Sequence, residues 1–319
     1  MRLVWPGLRS PGITGLLQAA ATITVIFSLA TLANSLHRFL ELFSHFRLQY
    51  LVVAFVLAVF FTALKHRRWA LLMLVVTAVN AVPVAPWYFD NSEAAPVSDA
   101  RLHILFANVK TGNSKTQVML RLIESENPDL VVLQEVTDPF AAAMDGVRYR
   151  YPYRHVISQH DNFGIAVYSQ HPLLKVEVIS SPPLDLPSLV IQQAIGNTVV
   201  NYVTTHPIPP LGRLGFDARN EQLADIGERI AALDGPVILI GDLNTAVWGH
   251  HYKKLVADTG LKNARDGFGI IPTWPRQLPI AMIPIDHCLV SDEFVVLDIR
   301  SGPNIGSDHL PLIVTLGLK

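Results

Sequence analysis

Short apolar segments that end in isolated polar residues recur along residues 101–319, and this arrangement constrains the fold more than any other feature. The clearest is Val237–Asn244, in which four aliphatic residues lead into Gly241, Asp242 and Asn244. A continuous apolar run is typical of a strand buried on both faces. Polar side chains at its end are costly unless something binds them, although an Asx turn would also explain this segment alone.

The same pattern predicts many strands with few helices between them. This favours an α/β fold of two packed mixed sheets flanked by helices, with the strand ends gathered at one cleft. The predicted strands cover residues 102–108, 129–136, 163–169, 173–179, 189–195, 198–206, 237–244, 285–290 and 310–316, and the predicted helices cover residues 115–125, 213–233 and about 250–258. The polar residues at the strand ends are Asn108, Glu135, His206, Asp242, Asn244, Asp286, Asp308 and His309.

The first ninety residues are too apolar for an ordinary soluble enzyme. Half of the whole chain is hydrophobic, only 16% is charged, and the mean hydropathy is +0.33. Three uncharged runs predict an all-α bundle of three transmembrane helices at about 12–35, 48–64 and 69–89, the last closed by Trp87 and Tyr88. A cleaved signal peptide is the alternative for the first run, and a buried helical hairpin for the other two.

Basic residues predict how this region is oriented in the membrane. Five of them precede the first run or lie between the second and third, against Arg38 and Arg47 on the other side. The positive-inside rule therefore predicts a cytoplasmic N-terminus and an extracytoplasmic domain at 101–319, with the inverted topology as the alternative. Residues 91–100 are small, polar and Pro-containing, which predicts a linker between the membrane region, residues 1–90, and that domain.

The charge balance bears on the partners of the domain. Residues 101–319 carry 18 Lys and Arg against 22 Asp and Glu. Nonspecific nucleic-acid binding depends on basic residues that neutralise phosphates, so a general nuclease is disfavoured. The single cysteine, Cys288, excludes an internal disulfide and a cysteine-based zinc site.

Seven sequence blocks together resemble the endonuclease/exonuclease/phosphatase superfamily. They are FANVK, PDLVVLQEV, GIAVYSQHPL, VTTHP, VILIGDLN, PIDHCLVS and GSDHLPL, in the order found in that superfamily. The resemblance covers residues 101–319 and, with the apolar N-terminal runs, extends to a membrane-anchored bacterial branch with three spans. It implies a four-layer α/β sandwich and a divalent-metal-dependent attack of water on a phosphate ester.

The resemblance implies a metal site built around Glu135. A hard cation such as Mg²⁺, with Mn²⁺ as the alternative, prefers carboxylate oxygens. Asn108 would help to hold the metal or contact a phosphate oxygen, and Asp308 would approach the metal or the leaving side of the phosphate. Many relatives have a carboxylate at the position of Lys110, so this residue either reduces metal ligation or adds a phosphate contact.

The resemblance also assigns the catalytic side chains. Asp242 corresponds to the carboxylate that orients water and is the candidate general base. Asn244 would donate to the scissile phosphate, and His206 and His309 would donate to its nonbridging oxygens. Asp286 would fix the tautomer of His309 and favour its protonated form.

The predicted membrane location and this chemistry together favour one class of substrate. We expect a phosphohydrolase that acts on a lipid-linked phosphate or pyrophosphate at the outer face of the membrane. Asn108, Lys110 and Asn244 are the candidate phosphate contacts, and Trp274 packs either on substrate, toward lipid or in the core. A membrane-tethered nuclease is the first alternative, and a catalytically inactive binding protein is the second.

Overall fold

The computed structural model describes residues 12–89 and 101–319. The chain divides into two compact units, Met1–Val84 and Ala85–Lys319. The predicted linker, residues 91–100, and residues 1–11 of the predicted membrane region lie outside the described residues. Each unit is therefore described by itself.

The first unit is helical. Its helices are α1 (Ile13–Ala30), α2 (Arg38–Ser44), α3 (Arg47–Ala63) and α4 (Arg67–Ala81). A short 3₁₀ turn extends α1 to Ala33, and Ile13–Ala33 is the one helix of the described residues that is long and apolar enough to cross a membrane. Only 22% of its most apolar window is buried inside the structure, and its position near the N-terminus is also typical of a signal sequence.

The predicted bundle of three transmembrane helices is not supported. The third helix, expected over 69–89, is only 15 residues long and ends at Ala81, two residues before Pro83. Trp87 and Tyr88 belong to a 3₁₀ turn, Ala85–Tyr88, and do not close a span. The helix expected over 48–64 reaches the required length only together with α2, from which it is bent by 63°. Apolar composition alone did not reveal these breaks.

The second unit contains two six-stranded sheets. Its strands are β1 (Arg101–Asn108), β2 (Leu130–Gln134), β3 (Tyr153–Ile157), β4 (Ile165–Ser169), β5 (Leu173–Ser181), β6 (Leu186–Ile195), β7 (Thr198–Thr205), β8 (Val237–Asp242), β9 (Lys262–Asn263), β10 (Asp286–Val290), β11 (Phe294–Ser301) and β12 (Leu312–Leu318). The first sheet has the order β11-β12-β1-β2-β4-β3, and the second has the order β5-β6-β7-β8-β10-β9.

Both sheets are mixed, as predicted. Strand β1 is parallel to β2, and β7 is parallel to β8, while the other neighbours are antiparallel. Three strands were not predicted, namely β3, β9 and β11, and each lies at the edge of its sheet. Edge strands β3 and β11 are partly exposed, so they lack the continuous apolar runs that mark the central strands.

Helices cover the outer faces of both sheets. Helices α5 (Thr116–Glu126) and α6 (Asp138–Ala143) pack on the first sheet, where Met119 and Ile123 meet Val131 and Leu133. Helices α7 (Gly212–Ala231) and α8 (His250–Thr259) cover the second sheet. The unit is thus a sandwich of two sheets flanked by helices, as predicted.

The sheets face each other through an aliphatic layer that becomes polar at one end. In β8, Ile238 and Ile240 lie in this inter-sheet core, and period-two alternation directs Asp242 to the same face. The same alternation places a polar residue next to the apolar ones at or just beyond the end of β1, β2 and β7, and at the start of β10. This polar edge comprises Asn108, Gln134, His206, Asp242 and Asp286.

Candidate active site

Asp242 lies at the centre of the polar edge. Its Oδ1 accepts a hydrogen bond from the backbone N of Asn244 at 2.9 Å. Its Oδ2 lies 3.3 Å from Asn108 Nδ2, 3.5 Å from His206 Nε2 and 3.7 Å from His309 Nε2. One buried carboxylate oxygen therefore faces two imidazoles and an amide that come from both sheets.

The charges of this cluster stabilise one another. Burial alone would raise the pKa of Asp242, but the hydrogen bond from His206 and the nearby imidazole charges outweigh it, so this pKa is lowered. Burial alone would lower the pKa of His206, but Asp242 raises it. The pKa of His309 is raised to about 9, because the charges of Asp286 and Asp242 outweigh burial. The ionised carboxylate of Asp242 and the protonated imidazole of His309 therefore stabilise each other at neutral pH.

Asp286 holds the second nitrogen of His309. The Nδ1 atom of His309 lies 3.1 Å from Asp286 Oδ1 and 2.9 Å from Oδ2. Asp286 is paired with Asp242 across β10 and β8, so the two carboxylates flank the imidazole. The ligand atoms of Asp242, Asp286 and His309 all lie within 4.8 Å of one another. This buried group fits proton chemistry, since both imidazole nitrogens already face carboxylates.

Glu135 lies one residue beyond β2 and adopts a left-handed backbone conformation, with φ of 62°. Its Oε1 accepts from Asn108 Nδ2 at 2.9 Å, and its Oε2 accepts from the backbone N of Thr111 at 2.9 Å and from its Oγ1 at 3.2 Å. Among the described residues, these partners are neutral and no basic side chain forms an ion pair with Glu135.

The donor set around Glu135 fits a hard divalent cation. Mg²⁺ takes oxygen ligands from one or two carboxylates and retains several waters. Glu135 supplies a carboxylate whose negative charge has no ion-pair partner within the described residues. The side chain of Asn108 links Glu135 to Asp242, because Asn108 Nδ2 contacts both carboxylates. A cation beside Glu135 would therefore supply the positive charge that this corner of the site lacks.

Asp308 and Lys110 lie together at a more exposed part of the site. Asp308 Oδ2 is 3.7 Å from Lys110 Nζ, and the two side chains are 29% and 46% exposed. Lys110 also has a left-handed backbone, with φ of 67°. Lys110, which stands where a carboxylate was expected, thus forms an ion pair with Asp308, a predicted metal residue.

Asn244 and Trp274 are placed differently from each other. Asn244 lies beyond the end of β8 with φ of 50°, so the strand is shorter than predicted. Its Nδ2 donates to the carbonyl of Pro207 at 2.9 Å, and one amide N–H remains for substrate. The half-buried Trp274 ring lies 6.3 Å from the imidazole of His309, measured between centroids. Trp274 therefore belongs to the site and not to the core.

Gln134 was not predicted, although it connects the two sheets at the site. Its Nε2 donates to the carbonyl of Thr205 at 2.8 Å, and its Oε1 accepts from the backbone N of Asp242 at 2.9 Å. Alternation from Leu130 and Val132 could have revealed it, because the three residues share the inter-sheet face. No comparable signal in the sequence marks Thr111, whose backbone N reaches Glu135 through the turn at Lys110.

Two further residues support the site from within the protein. Arg265 is fully buried and donates from Nη2 to the backbone carbonyl of Asp286. Gly241 lies inside β8. A Cβ there would lie 2.3 Å from the carbonyl oxygen of Thr205 and 2.8 Å from Gln134 Nε2, so glycine is required for close approach.

Solved structures share this fold. An endonuclease/exonuclease/phosphatase protein from Beutenbergia cavernae is 20% identical, with a TM-score of 0.58 over 69% of this chain and 72% of that chain. Humanized D. rerio TDP2 is 18% identical, with a TM-score of 0.57 over 68% and 98% of the two chains. The human Nocturnin catalytic domain with bound sulfate is 18% identical, with a TM-score of 0.57 over 70% and 97%.

A comparison with curated proteins gives no match. The family model described as "Endonuclease/Exonuclease/phosphatase family" matches residues 105–309, which include all the polar strand ends described above. This match spans more than half of the chain, and the chain therefore belongs to the endonuclease/exonuclease/phosphatase family.

Proposed function

We propose that this protein is a membrane-anchored, divalent-metal-dependent phosphohydrolase, with residues 101–319 as its catalytic domain. The observation that carries the proposal is the convergence on Asp242 of His206 and His309, whose Nε2 atoms lie 3.5 and 3.7 Å from its Oδ2. Residues from separate strands form a buried acid–base cluster that a structural role alone does not require.

Asp242 is the base that receives a proton from the attacking water. Its lowered pKa keeps it ionised at neutral pH, and the backbone N of Asn244 fixes its orientation. His309 donates from Nε2 to a nonbridging phosphate oxygen, while Asp286 holds its Nδ1 proton. His206 contributes a second imidazole, whose buried Nδ1 has no hydrogen-bond partner within the described residues. That nitrogen is a donor available to an anionic oxygen.

Glu135 and Asn108 would hold the metal, with Asp308 as an outer carboxylate. When bound, Mg²⁺ or Mn²⁺ would polarise a phosphoryl oxygen and offset the negative charge that develops on the phosphate. Lys110 limits the approach of Asp308, because the two side chains form an ion pair. Lys110 contacts an outer phosphate oxygen, Asn244 donates to the scissile phosphate, and the Trp274 ring lies beside the imidazole of His309.

We propose a lipid-linked phosphate or pyrophosphate as the substrate, hydrolysed at the extracytoplasmic face of the membrane. Helix Ile13–Ala33 supports the membrane anchor. The catalytic domain, residues 101–319, contains fewer basic than acidic residues. This balance disfavours a polyanionic substrate such as DNA or RNA.

Phosphate release from a substrate panel tests the proposal. Full-length protein in detergent is incubated with a prenyl pyrophosphate, a phospholipid monoester, plasmid DNA and RNA, with Mg²⁺, Mn²⁺ or EDTA. We expect metal-dependent release from the lipid substrates and none from the Asp242→Asn control. Cleavage of plasmid or RNA with lipid untouched would establish the nuclease alternative, and inactivity on the whole panel would favour a binding protein.

A further inference from the structure

Two segments beside the site carry the most exposed large aliphatic side chains of residues 101–319. Leu211 and Leu214 are 81% and 86% exposed, and Ile280 is 81% exposed. They lie in residues 207–214 and 275–282, which we term the apolar segments. Leu211 is the N-cap residue of α7, Leu214 lies in its first turn, and Ile280 lies in the 3₁₀ turn Pro279–Ala281. A single exposed aliphatic side chain needs no explanation, but a group of them beside a site marks a surface for protein or membrane contact.

Both apolar segments are attached directly to residues of the site. The carbonyl of Pro207 accepts from Asn244 Nδ2 at 2.9 Å. The backbone N of Arg276 donates to the carbonyl of Asp308 at 2.8 Å. The first segment follows His206, and the second follows Trp274. Both apolar segments therefore begin at residues that contact the site.

The charge of the apolar segments differs from that of the rest of the unit. Neither segment contains an acidic residue. Residues 207–214 contain Arg213, which forms an exposed ion pair with Asp217 at 3.4 Å, and residues 275–282 contain Arg276, whose Nε donates to the carbonyl of Ser307 at 2.8 Å. The domain as a whole is acidic, with 22 Asp and Glu in residues 101–319. Aliphatic tips with adjacent arginines fit a layer that is apolar inside and anionic at its surface.

We propose that the apolar segments dock the catalytic unit onto an anionic lipid bilayer. Leu211, Leu214 and Ile280 enter the acyl-chain region, while Arg213 and Arg276 contact the lipid phosphates. The cleft between them then opens toward the lipid headgroups. The proposal deepens the proposed function by explaining how a lipid-linked phosphate would reach Asp242, but docking itself requires no catalysis.

A single-label depth measurement tests the docking. The only cysteine, Cys288, is fully buried, so unsubstituted protein serves as the labelling blank. Full-length L214C, I280C and V199C proteins are labelled with an environment-sensitive fluorophore and reconstituted in phosphatidylcholine/phosphatidylglycerol vesicles containing nitroxide-labelled acyl chains. Val199 is the matched control, because it is exposed and lies near the start of β7, the strand that ends before His206.

We expect strong quenching by acyl-chain nitroxides at positions 214 and 280 and weak quenching at position 199. Omitting phosphatidylglycerol or adding salt should reduce the difference, because the arginine contacts are electrostatic. Labels at 214 and 280 that stay accessible to aqueous iodide would overturn the proposal. A spectral change that depends on protein concentration and not on lipid would also overturn it, in favour of contact with a second copy.

A kinetic measurement separates this proposal from the proposed function. In the triple variant L211S/L214S/I280S, KM for a vesicle-embedded lipid phosphate should rise by about tenfold, while hydrolysis of a soluble phosphoester stays unchanged. The double variant L174S/V199S is the control. Quenched labels without hydrolysis of any phosphoester would retain the docking and refute the proposed function. Hydrolysis with equal KM in the triple variant and the control would refute the docking.

Discussion

The inter-sheet face has two regions that are equally buried and chemically opposite. In the aliphatic layer, Val132 and Ile240 are almost completely buried and apolar. In the polar edge, Gln134, Asp242 and Asp286 on the same face are buried to the same extent. Burial therefore does not distinguish the regions. The polar edge persists because its groups satisfy one another, as with Gln134 between Thr205 and the backbone of Asp242.

The two regions also differ in backbone conformation. Among the described residues, no residue within a strand of the layer has a positive φ, whereas Lys110, Glu135 and Asn244 beside the polar edge have φ of 67°, 62° and 50°. For residues with a side chain, such a conformation costs about 1–3 kcal/mol. The surrounding hydrogen bonds hold these residues in place, as Thr111 holds Glu135. The aliphatic layer stabilises the fold, and part of this stabilisation offsets the conformational cost of the polar edge.

Replacing Asp242 by Asn should have the largest effect on activity. The substitution keeps the shape of the side chain but removes the base, so kcat should fall by about 10²–10⁴-fold. The free energy of unfolding should change much less, since Asn can still accept from the backbone N of Asn244. Phosphate release and urea unfolding measure the two effects. A variant with unchanged kcat would show that the edge does not perform the chemistry.

Replacing Ile240 by Ala should have the opposite effect. Ile240 is fully buried two residues before Asp242 on the same face. The cavity should lower the free energy of unfolding by about 2–5 kcal/mol, with kcat changed severalfold at most below the unfolding transition. Urea unfolding followed by tryptophan fluorescence measures the loss. A large fall in kcat with little loss of stability would erase the distinction between layer and edge.

The sequence predicted the layer better than the edge. Continuous apolar runs such as those of β2 and β8 report burial directly, so the central strands and the sandwich were predicted. Edge strands β3 and β11 were missed, because partly exposed strands lack that signal. Asn108, His206, Asp242, Asp286 and His309 meet in the structure as expected. Strand alternation could also have revealed Gln134, whereas the contact of Thr111 with Glu135 depends on the turn at Lys110. The breaks in the predicted membrane helices likewise depend on local geometry.

Replacing Gln134 by Leu should affect both properties, because this residue belongs to the edge and connects the sheets. The change leaves the backbone N of Asp242 and the carbonyl of Thr205 without their partner, at a cost of about 1–3 kcal/mol for each group. Asp242 should also lose its alignment, so kcat should fall while KM changes little. Gln134→Glu is the control, since it keeps the acceptor. If Gln134→Leu and Gln134→Glu both keep the kcat of the unsubstituted protein, Gln134 has a purely structural role.

Replacing Glu135 by Gln should weaken metal activation without disturbing the fold. The amide retains an acceptor for Thr111 but removes the charge that has no ion-pair partner in the described residues. The Mg²⁺ concentration for half-maximal activity should rise by at least about tenfold. A Mg²⁺ titration after EDTA treatment measures the shift, with Lys110→Met as a comparison. If the Mg²⁺ concentration for half-maximal activity is unchanged in Glu135→Gln, the metal binds elsewhere on the polar edge.

Replacing Asp286 by Asn should have the smallest effect, seen in the titration of His309. The pKa of His309 is raised to about 9 from an ordinary 6.5, and the charge of Asp286 is the largest favourable cause. A raised folded-state pKa stabilises the protein fully below pH 6.5, and this stabilisation is lost as the pH rises through about 9. In Asp286→Asn the pKa of His309 should fall, and the unfolding free energy should depend less on pH across that range. NMR titration of the imidazole in EDTA, assigned with His309→Gln, measures the pKa. A value that stays near 9 would mean that Asp242 alone holds the imidazole proton, and the two carboxylates would then not share one histidine.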